Sequence, residues 1–234
     1  LQDQPRNMYR LAIRKPAPDF RLVAIPENSL NGLLVRKGGR TTVRVLAVRR
    51  DGYDGDITVT VTGLPAGVTS TGAVIGGGRS SASLVLSAAA NATPTIASLR
   101  ISGKGTIGTA AVTRTARYGT TTRLAPPPAR NQPSRPENGR LSRSLALTVS
   151  DTETAPLALS GGVPKVYEIS RAGILKIPFT LARPGNNVKV DSDDIDLPAN
   201  VTATKPAFNP GVTTATLQLT LKNKTPTGIY TIFL

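Results

Sequence analysis

Short runs of alternating apolar and polar residues recur along the whole chain. Ile57–Thr62 alternates over its full length, and Ser80–Ala88 does the same. A period of two is typical of a β-strand that buries one face, and Gly, Pro, Asn and Asp clusters separate successive runs. The pattern predicts an all-β protein. The predicted strands are Asp19–Ile25, Leu33–Val35, Thr41–Arg49, Ile57–Thr62, Ser80–Ala88, Thr95–Ser102, Ile107–Tyr118, Leu145–Val149, Val166–Ile169 and Ile174–Leu181.

One stretch of the chain occurs twice. Leu64–Thr69 has the sequence LPAGVT, and Leu197–Thr202 has the sequence LPANVT, 133 residues later. The same offset aligns Leu84 with Leu217 without a gap. A fixed offset over this length indicates two copies of one structural unit.

The repeat and the turn spacing predict two tandem immunoglobulin-like Greek-key β-sandwiches joined by a Pro-rich linker. We expect residues 1–15 to be a terminal strand or arm, 16–124 the first sandwich, 125–143 the Pro/Arg-rich linker and 144–234 the second sandwich. Because the first copy continues past the residue equivalent to Leu234, we expect the second sandwich to be incomplete at its C-terminal end. Two explanations stay open: the chain is a fragment, which we favour, or a neighbouring molecule supplies the strand.

Composition excludes several classes of site. The chain has no Cys and no His, so neither a thiolate nucleophile nor a Ser-His-Asp triad can form within it. Histidine is also the commonest ligand of transition metals in proteins. Because these catalytic groups are absent, we predict a protein that is not an enzyme.

No apolar run approaches the roughly 20 residues that span a bilayer as a helix.

The net charge of +15 is unevenly placed. Residues 1–124 hold 17 Lys and Arg against 6 Asp and Glu, whereas residues 144–234 hold 8 against 7. Such a field attracts polyanions, so the expected partners are other protein subunits or an anionic polysaccharide. Nucleic acid is disfavoured because single-strand binding normally uses aromatic stacking, and aromatic residues are scarce. The favoured interpretation of the basic residues is a face exposed to solvent, because they fall mostly on outward strand positions or in turns. They include Arg10, Arg14, Arg44, Arg49 and Arg50.

Two loops concentrate carboxylates. The candidate calcium ligands are Asp191, Asp193, Asp194 and Asp196 in the second copy, with Asp51, Asp54 and Asp56 as a weaker set in the first. Oxygen ligands on a loop suit Ca²⁺, but neither stretch fits the twelve-residue calcium loop. Turn formation by Asp and Gly is the favoured alternative. No other cofactor is predicted.

A glycine-rich segment has the spacing of a dinucleotide fingerprint. Gly103–Gly108 reads GKGTIG, but that motif requires a helix directly after the glycines. The residues that follow read as a strand, so a β-hairpin turn is predicted instead.

The wider pattern resembles the immunoglobulin-like accessory modules of large secreted bacterial proteins, which often follow a small domain of the pre-peptidase C-terminal type. The segments that carry the resemblance are Tyr9–Leu11, Pro18–Leu22, Arg49–Tyr53 and Gly63–Val68. Thr227–Ile232 is also similar to the start of strand F in immunoglobulin domains, where a Tyr forms the tyrosine corner.

The resemblance implies a non-catalytic structural or interaction role, such as spacing, adhesion or assembly. It places the protein outside the cell, on the cell surface or in the periplasm. The alternative is a pair of accessory binding domains of a secreted hydrolase whose catalytic domain lies outside this chain.

Overall fold

The computed structural model describes residues 13–27, 32–122, 138–161, 166–185, 187–192 and 197–232. Every regular element in these ranges is a β-strand, which confirms the all-β prediction. The part of the chain described here contains no helix with the length and apolar character needed to cross a membrane.

The first sheet has six strands, in the order β11-β10-β1-β3-β7-β5. Its strands are β1 (Asp19–Pro26), β3 (Arg40–Arg50), β5 (Val68–Ser70), β7 (Ser81–Ala88), β10 (Arg117–Thr122) and β11 (Asn138–Ser142). β1, β3 and β7 form its antiparallel centre, and β10 joins β1 in parallel.

The second sheet has the order β2-β12-β8-β4-β6, with β9 also paired to β8. Its strands are β2 (Leu33–Lys37), β4 (Ile57–Thr62), β6 (Ala73–Ile75), β8 (Thr95–Ile107), β9 (Ala110–Thr115) and β12 (Leu145–Thr154). Side chains from the inner faces of both sheets form one apolar cluster, so the two sheets make a sandwich. Phe20, Val43 and Leu84 enter it from the first sheet, and Ile57 and Leu147 enter it from the second, all fully buried.

Two strands of this sandwich come from residues assigned to other regions by the sequence. β11 lies in the range expected to be linker, yet it pairs with β10 in register Tyr118↔Ser142. β12 was expected to open the second sandwich, but it lies between β2 and β8 and buries Leu145 and Leu147 in the first core. The alternation in β12 identifies a strand, but it does not identify the partners, which are 46 to 117 residues away along the chain.

The predicted strand Ile107–Tyr118 is divided in the structure. β8 runs to Ile107, β9 returns along it, and the chain then passes to the other sheet as β10. Tyr118 is 1% exposed, and its hydroxyl donates to the carbonyl of Leu99 at 2.9 Å and accepts from the N–H of Ile101 at 3.0 Å. Leu99 is the last residue of β8 that pairs with β12, and Ile101 directly precedes the part of β8 that pairs with β9. The Tyr118 hydroxyl thus joins the main chain of β8 at the point where its partner strand changes.

The remaining residues form a smaller unit around a second apolar cluster. A four-stranded sheet has the order β13-β14-β18-β16, and β15 pairs with β17. The strands are β13 (Ala158–Gly161), β14 (Ile174–Ala182), β15 (Val190–Asp191), β16 (Val201–Thr204), β17 (Ala207–Phe208) and β18 (Thr214–Leu221). The predicted strand Val166–Ile169 has no strand pairing in the structure, so that prediction was wrong.

The hydrogen-bond register of the smaller unit follows that of the first sandwich. Val68 pairs with Ala88, and Val201 pairs with Leu221, each residue 133 positions later. Likewise Ile57↔Ile75 in β4 and β6 corresponds to Val190↔Phe208 in β15 and β17. The strand order β13-β14-β18-β16 of the smaller unit therefore corresponds, strand by strand, to the order β1-β3-β7-β5 of the first sheet.

The LPAGVT and LPANVT turns also share their hydrogen bonds. The carbonyl of Gly67 accepts from Ala89 N–H, and the carbonyl of Asn200 accepts from Lys222 N–H, again 133 residues apart. Both turn residues have positive φ, 78° for Gly67 and 63° for Asn200. Asparagine is one of the few side chains that tolerate this left-handed conformation, which explains the one Gly/Asn difference between the motifs.

Candidate functional site

A shallow cleft of about 320 Å³ lies at the end of the first sandwich where β1 begins and β3 ends. Its lining residues are Arg14, Ala17, Pro18, Asp19, Arg50, Asp51 and Arg114. Three guanidinium groups and two carboxylates thus face one small space. The excess of one positive charge makes the cleft attractive to an anionic group.

Asp51 holds the segment that precedes β1. Its Oδ2 atom accepts a hydrogen bond from Arg14 Nη1 at 2.6 Å and one from the Ala17 N–H at 2.9 Å. The Arg14 hydrogen bond is the main reason why the pKa of Asp51 lies below its usual value, with the Ala17 N–H next. The same contact raises the pKa of Arg14, so both groups stay charged at neutral pH.

Asp19 is the second carboxylate of the cleft. Burial raises its pKa, but the Phe20 N–H and the guanidinium of Arg114 outweigh that effect, and the net shift is downward. Arg114 Nε lies 3.0 Å from Asp19 Oδ1, and Arg21 Nε lies 3.7 Å from Oδ2. Asp19 therefore neutralises Arg114, as Asp51 neutralises Arg14, so the remaining positive charge of the cleft lies on Arg50.

Arg50 carries that remaining charge. It is exposed and makes no hydrogen bond or ion pair to any other described residue. A guanidinium in this state can bind a carboxylate, sulphate or phosphate through two parallel N–H groups. Arg50 also lies close enough to Asp51 to help lower the pKa of that carboxyl, but no hydrogen bond or ion pair between the two side chains is found among the described residues.

The neighbouring Arg49 has a different role from the solvated surface residue that the sequence suggested. Its guanidinium donates to the carbonyls of Gly55 at 2.6 Å, Gly76 at 2.7 Å and Arg79 at 3.0 Å. It also lies 5.4 Å from the ring centroid of Tyr53. Arg49 therefore joins the end of β3 to two loops, and it is not available to a ligand.

Arg183 makes the same three contacts in the second unit. It donates to the carbonyls of Val188, Asn209 and Val212, which are the residues 133 positions after those that Arg49 contacts. Sequence reasoning did not find this pair. The available signal was an arginine at the end of the equivalent strand in each copy, at positions 49 and 183.

The other arginines singled out by the sequence are dispersed. Arg44 is half-buried and donates to Ser81 Oγ at 3.3 Å on the outward face of β3 and β7. Arg10 lies outside the described residues. Only Arg14 and Arg50 of that set meet in the cleft.

The acidic loop of the first copy is explained by turn formation. Asp54 and Asp56 accept the N–H groups of Gly78 and Gly77, which joins this loop to the β6–β7 turn. In the second loop, Asp191 forms an ion pair with Lys189 at 2.9 Å, whereas Asp193, Asp194 and Asp196 lie outside the described residues. Among the residues that the structure describes, no three His, Cys, Asp or Glu side chains are grouped as metal ligands.

The glycines of the GKGTIG segment are required by packing. β8 and β9 form the predicted hairpin, with register Ile107↔Ala110. A Cβ atom on Gly103 would lie 2.5 Å from Leu22 Cδ1, and one on Gly105 would lie 2.2 Å from Tyr53 Oη. The glycines let the core side chains approach β8, and no helix follows them.

No protein-family model matches this chain, and a search of curated proteins found no match either.

Proposed function

We propose that this chain is a non-catalytic structural and interaction module of an exported or cell-surface bacterial protein, built from two tandem immunoglobulin-like sandwiches. The observation that carries the proposal is the shared hydrogen-bond framework of the two units, from strand register to the Arg49 and Arg183 contacts. Repetition of one framework is typical of modules that set spacing or present surfaces.

The tyrosine near the end of the chain supports the immunoglobulin-like assignment. Tyr230 donates its hydroxyl hydrogen to the carbonyl of Pro226, four residues upstream, at 3.2 Å. A tyrosine corner makes this kind of contact at the start of strand F. The antiparallel centre β1-β3-β7 of the first sheet is also consistent with such a sandwich.

We infer that the partner of this module is anionic and that it meets the first sandwich at the cleft around Arg50. The charge excess of the chain lies in its first half, and Arg50 is the cation of the cleft without an ion-pair partner among the described residues. An acidic polysaccharide or an acidic surface of another protein subunit would supply the matching carboxylates or sulphates.

The proposal is tested by titrating the chain with heparin and with polygalacturonate at two salt concentrations. Arg50→Gln should weaken binding about two- to fivefold, the effect of one partly exposed ion pair, and should reduce the salt dependence. Arg171→Gln is the matched control, because Arg171 is exposed in the second unit. Equal weakening by both variants would show non-specific attraction and would overturn the assignment of the cleft, as would a lack of binding to either polyanion.

A further inference from the structure

The outer face of the first sheet is apolar at positions where a solvated face would be polar. On the second sheet, β4 directs Thr58, Thr60 and Thr62 away from the core, as expected for a face exposed to solvent. On the first sheet, the outward positions of β1, β3 and β11 instead hold branched apolar side chains. We call these side chains the outer stripe. They are Val23, Ile25, Leu46, Val48 and Leu141.

The strand register makes the outer stripe continuous. Val23 pairs with Leu46 across β1 and β3, and Gly119 pairs with Leu141 across β10 and β11. A Cβ atom on Gly119 would lie 3.3 Å from Ile25 Cγ1 and 3.4 Å from Val23 Cγ1, so the side chains of β1 lean over this glycine toward β11. The outer stripe therefore crosses four neighbouring strands, a width of about 15 Å.

The fold does not require apolar residues at these positions, because the second unit has polar ones. Ser160 pairs with Thr180 in β13 and β14, which is the place that Val23 and Leu46 take in β1 and β3. In contrast to this exposed polar pair, the first sandwich leaves Val48 49% exposed and Leu141 64% exposed. Exposed apolar surface that the fold does not need is typical of an interaction site.

Arginine side chains flank the outer stripe. Arg117 pairs with Val23, and Arg44 pairs with Ile25. The outward positions of this face carry five arginines against two carboxylates, an excess of three positive charges. They are Arg21, Arg40, Arg44, Arg50 and Arg117 against Asp19 and Glu27. Because Arg50 pairs with Asp19 across β1 and β3, the candidate cleft lies at one end of the same face.

We propose that the outer stripe is the docking surface for an acidic protein subunit, whose own surface has an apolar centre flanked by carboxylates. This inference rests on the anionic partner proposed above and identifies that partner as a protein. An apolar centre with arginine around it is the usual composition of a protein–protein interface. A polysaccharide acid would match the arginines but would leave the outer stripe uncovered.

Other occupants fit the outer stripe less well. A second copy of the same face would place Arg21, Arg44 and Arg117 opposite like charges, which is unfavourable. Binding to a lipid surface normally uses Trp, Phe and Leu side chains that reach into the acyl region. The outer stripe has no aromatic residue, and its valines and isoleucine are short side chains on a sheet.

Titration of the full chain with synthetic amphipathic helices tests the proposal. The probe peptide has a leucine stripe flanked by glutamates. One control peptide has lysines in place of the glutamates, and the other has glutamines in place of the leucines. The amide NMR signals of Leu46 and Val48 should shift with the probe peptide alone, whereas those of Thr58 and Thr60 on the second sheet should not. Equal binding of the glutamine peptide would overturn the proposal, because charge alone would then explain the affinity.

Variants of the outer stripe provide the second test. Val23→Ser combined with Leu46→Thr introduces the residues that the second unit has, and it should weaken binding of the probe peptide about tenfold. Val48→Thr, at a more exposed position, should act in the same direction without disturbing packing. Ile96→Ser is the matched control, because Ile96 is 75% exposed on the second sheet. Unchanged binding by the stripe variants, or equal weakening by the control, would overturn the proposal.

The remaining outcomes separate this inference from the proposed function. Heparin binding that persists without any binding of the probe peptide would overturn the docking surface alone. A dimer that dissociates in the Val48→Thr variant would show that a second copy covers the stripe. Loss of binding to phosphatidylglycerol vesicles in that variant would show a membrane surface instead. If a soluble gadolinium chelate fails to broaden the Val48 signal of the free chain, another segment of the chain covers the stripe. Each of these results would overturn the proposal.

Discussion

Replacement of Tyr118 by phenylalanine should destabilise the first sandwich strongly, although the change removes a single oxygen atom. The ring stays in its place, so no cavity larger than a hydroxyl is created. The carbonyl of Leu99 and the N–H of Ile101 both lose their hydrogen-bond partner at a site where Tyr118 is 1% exposed. Each unsatisfied buried group destabilises by about 1–3 kcal/mol, and relief from burying the hydroxyl offsets part of the sum. We expect a loss of about 2–4 kcal/mol in the free energy of unfolding.

Urea denaturation followed by far-UV circular dichroism measures this loss in the full chain. Tyr230→Phe provides the matched control, since it deletes a hydroxyl that donates to Pro226 in an exposed segment. That variant should stay within about 0.5 kcal/mol of the wild type. The amide of Ile101 should also exchange faster in the Tyr118→Phe protein. If both variants unfold at the same urea concentration and the Ile101 amide stays protected, the hydrogen-bonding role of Tyr118 is refuted.

Three further outcomes follow from the described contacts. Arg49→Met should lower the stability of the first sandwich by about 2–4 kcal/mol, because partly buried carbonyls lose a charged donor. Arg183→Met should lower that of the second unit by about 1 kcal/mol or less, because the equivalent contacts there are exposed to solvent. Equal shifts of the urea midpoint in the two variants would contradict this. Ala172 and Gly38 are equivalent turn residues with positive φ, 60° and 70° respectively. Ala172→Gly should therefore raise the free energy of unfolding by about 1 kcal/mol, and Gly38→Ala should lower it. Calorimetry that shows both changes acting in the same direction would refute the conformational argument. The pKa of Asp51 is lowered on folding, so its contribution to stability is present above the unfolded pKa of about 3.9 and is lost as pH falls through the folded pKa. Asp51→Asn should therefore make the melting temperature depend less on pH at the acid end of the profile. A profile identical to that of the wild type would contradict the sign.

Local patterns were sufficient to find several of the longer strands. β1, β4 and β7 lie where alternation predicts them, because the period of two reports directly which side chains are buried on one face. The GKGTIG hairpin was also predictable, since the residues after the glycines alternate as a strand does. The candidate cleft was not, because its arginines and aspartates come from three separate segments of the chain.

The sequence by itself determined the all-β class, several of the longer strands and the offset of 133 residues, since these depend on periodicity and on local turn chemistry. The tertiary structure decided which strands share a sheet. β12 is an alternating strand by sequence alone, but only the vacant edges of β2 and β8 place it in the first sandwich. The tertiary structure likewise distinguished Arg49, whose guanidinium donates to four carbonyls, from the adjacent Arg50 in the cleft. Neighbouring residues on a strand point to opposite sides, so equal charge in the sequence leads to different roles once the loops have closed around one of them.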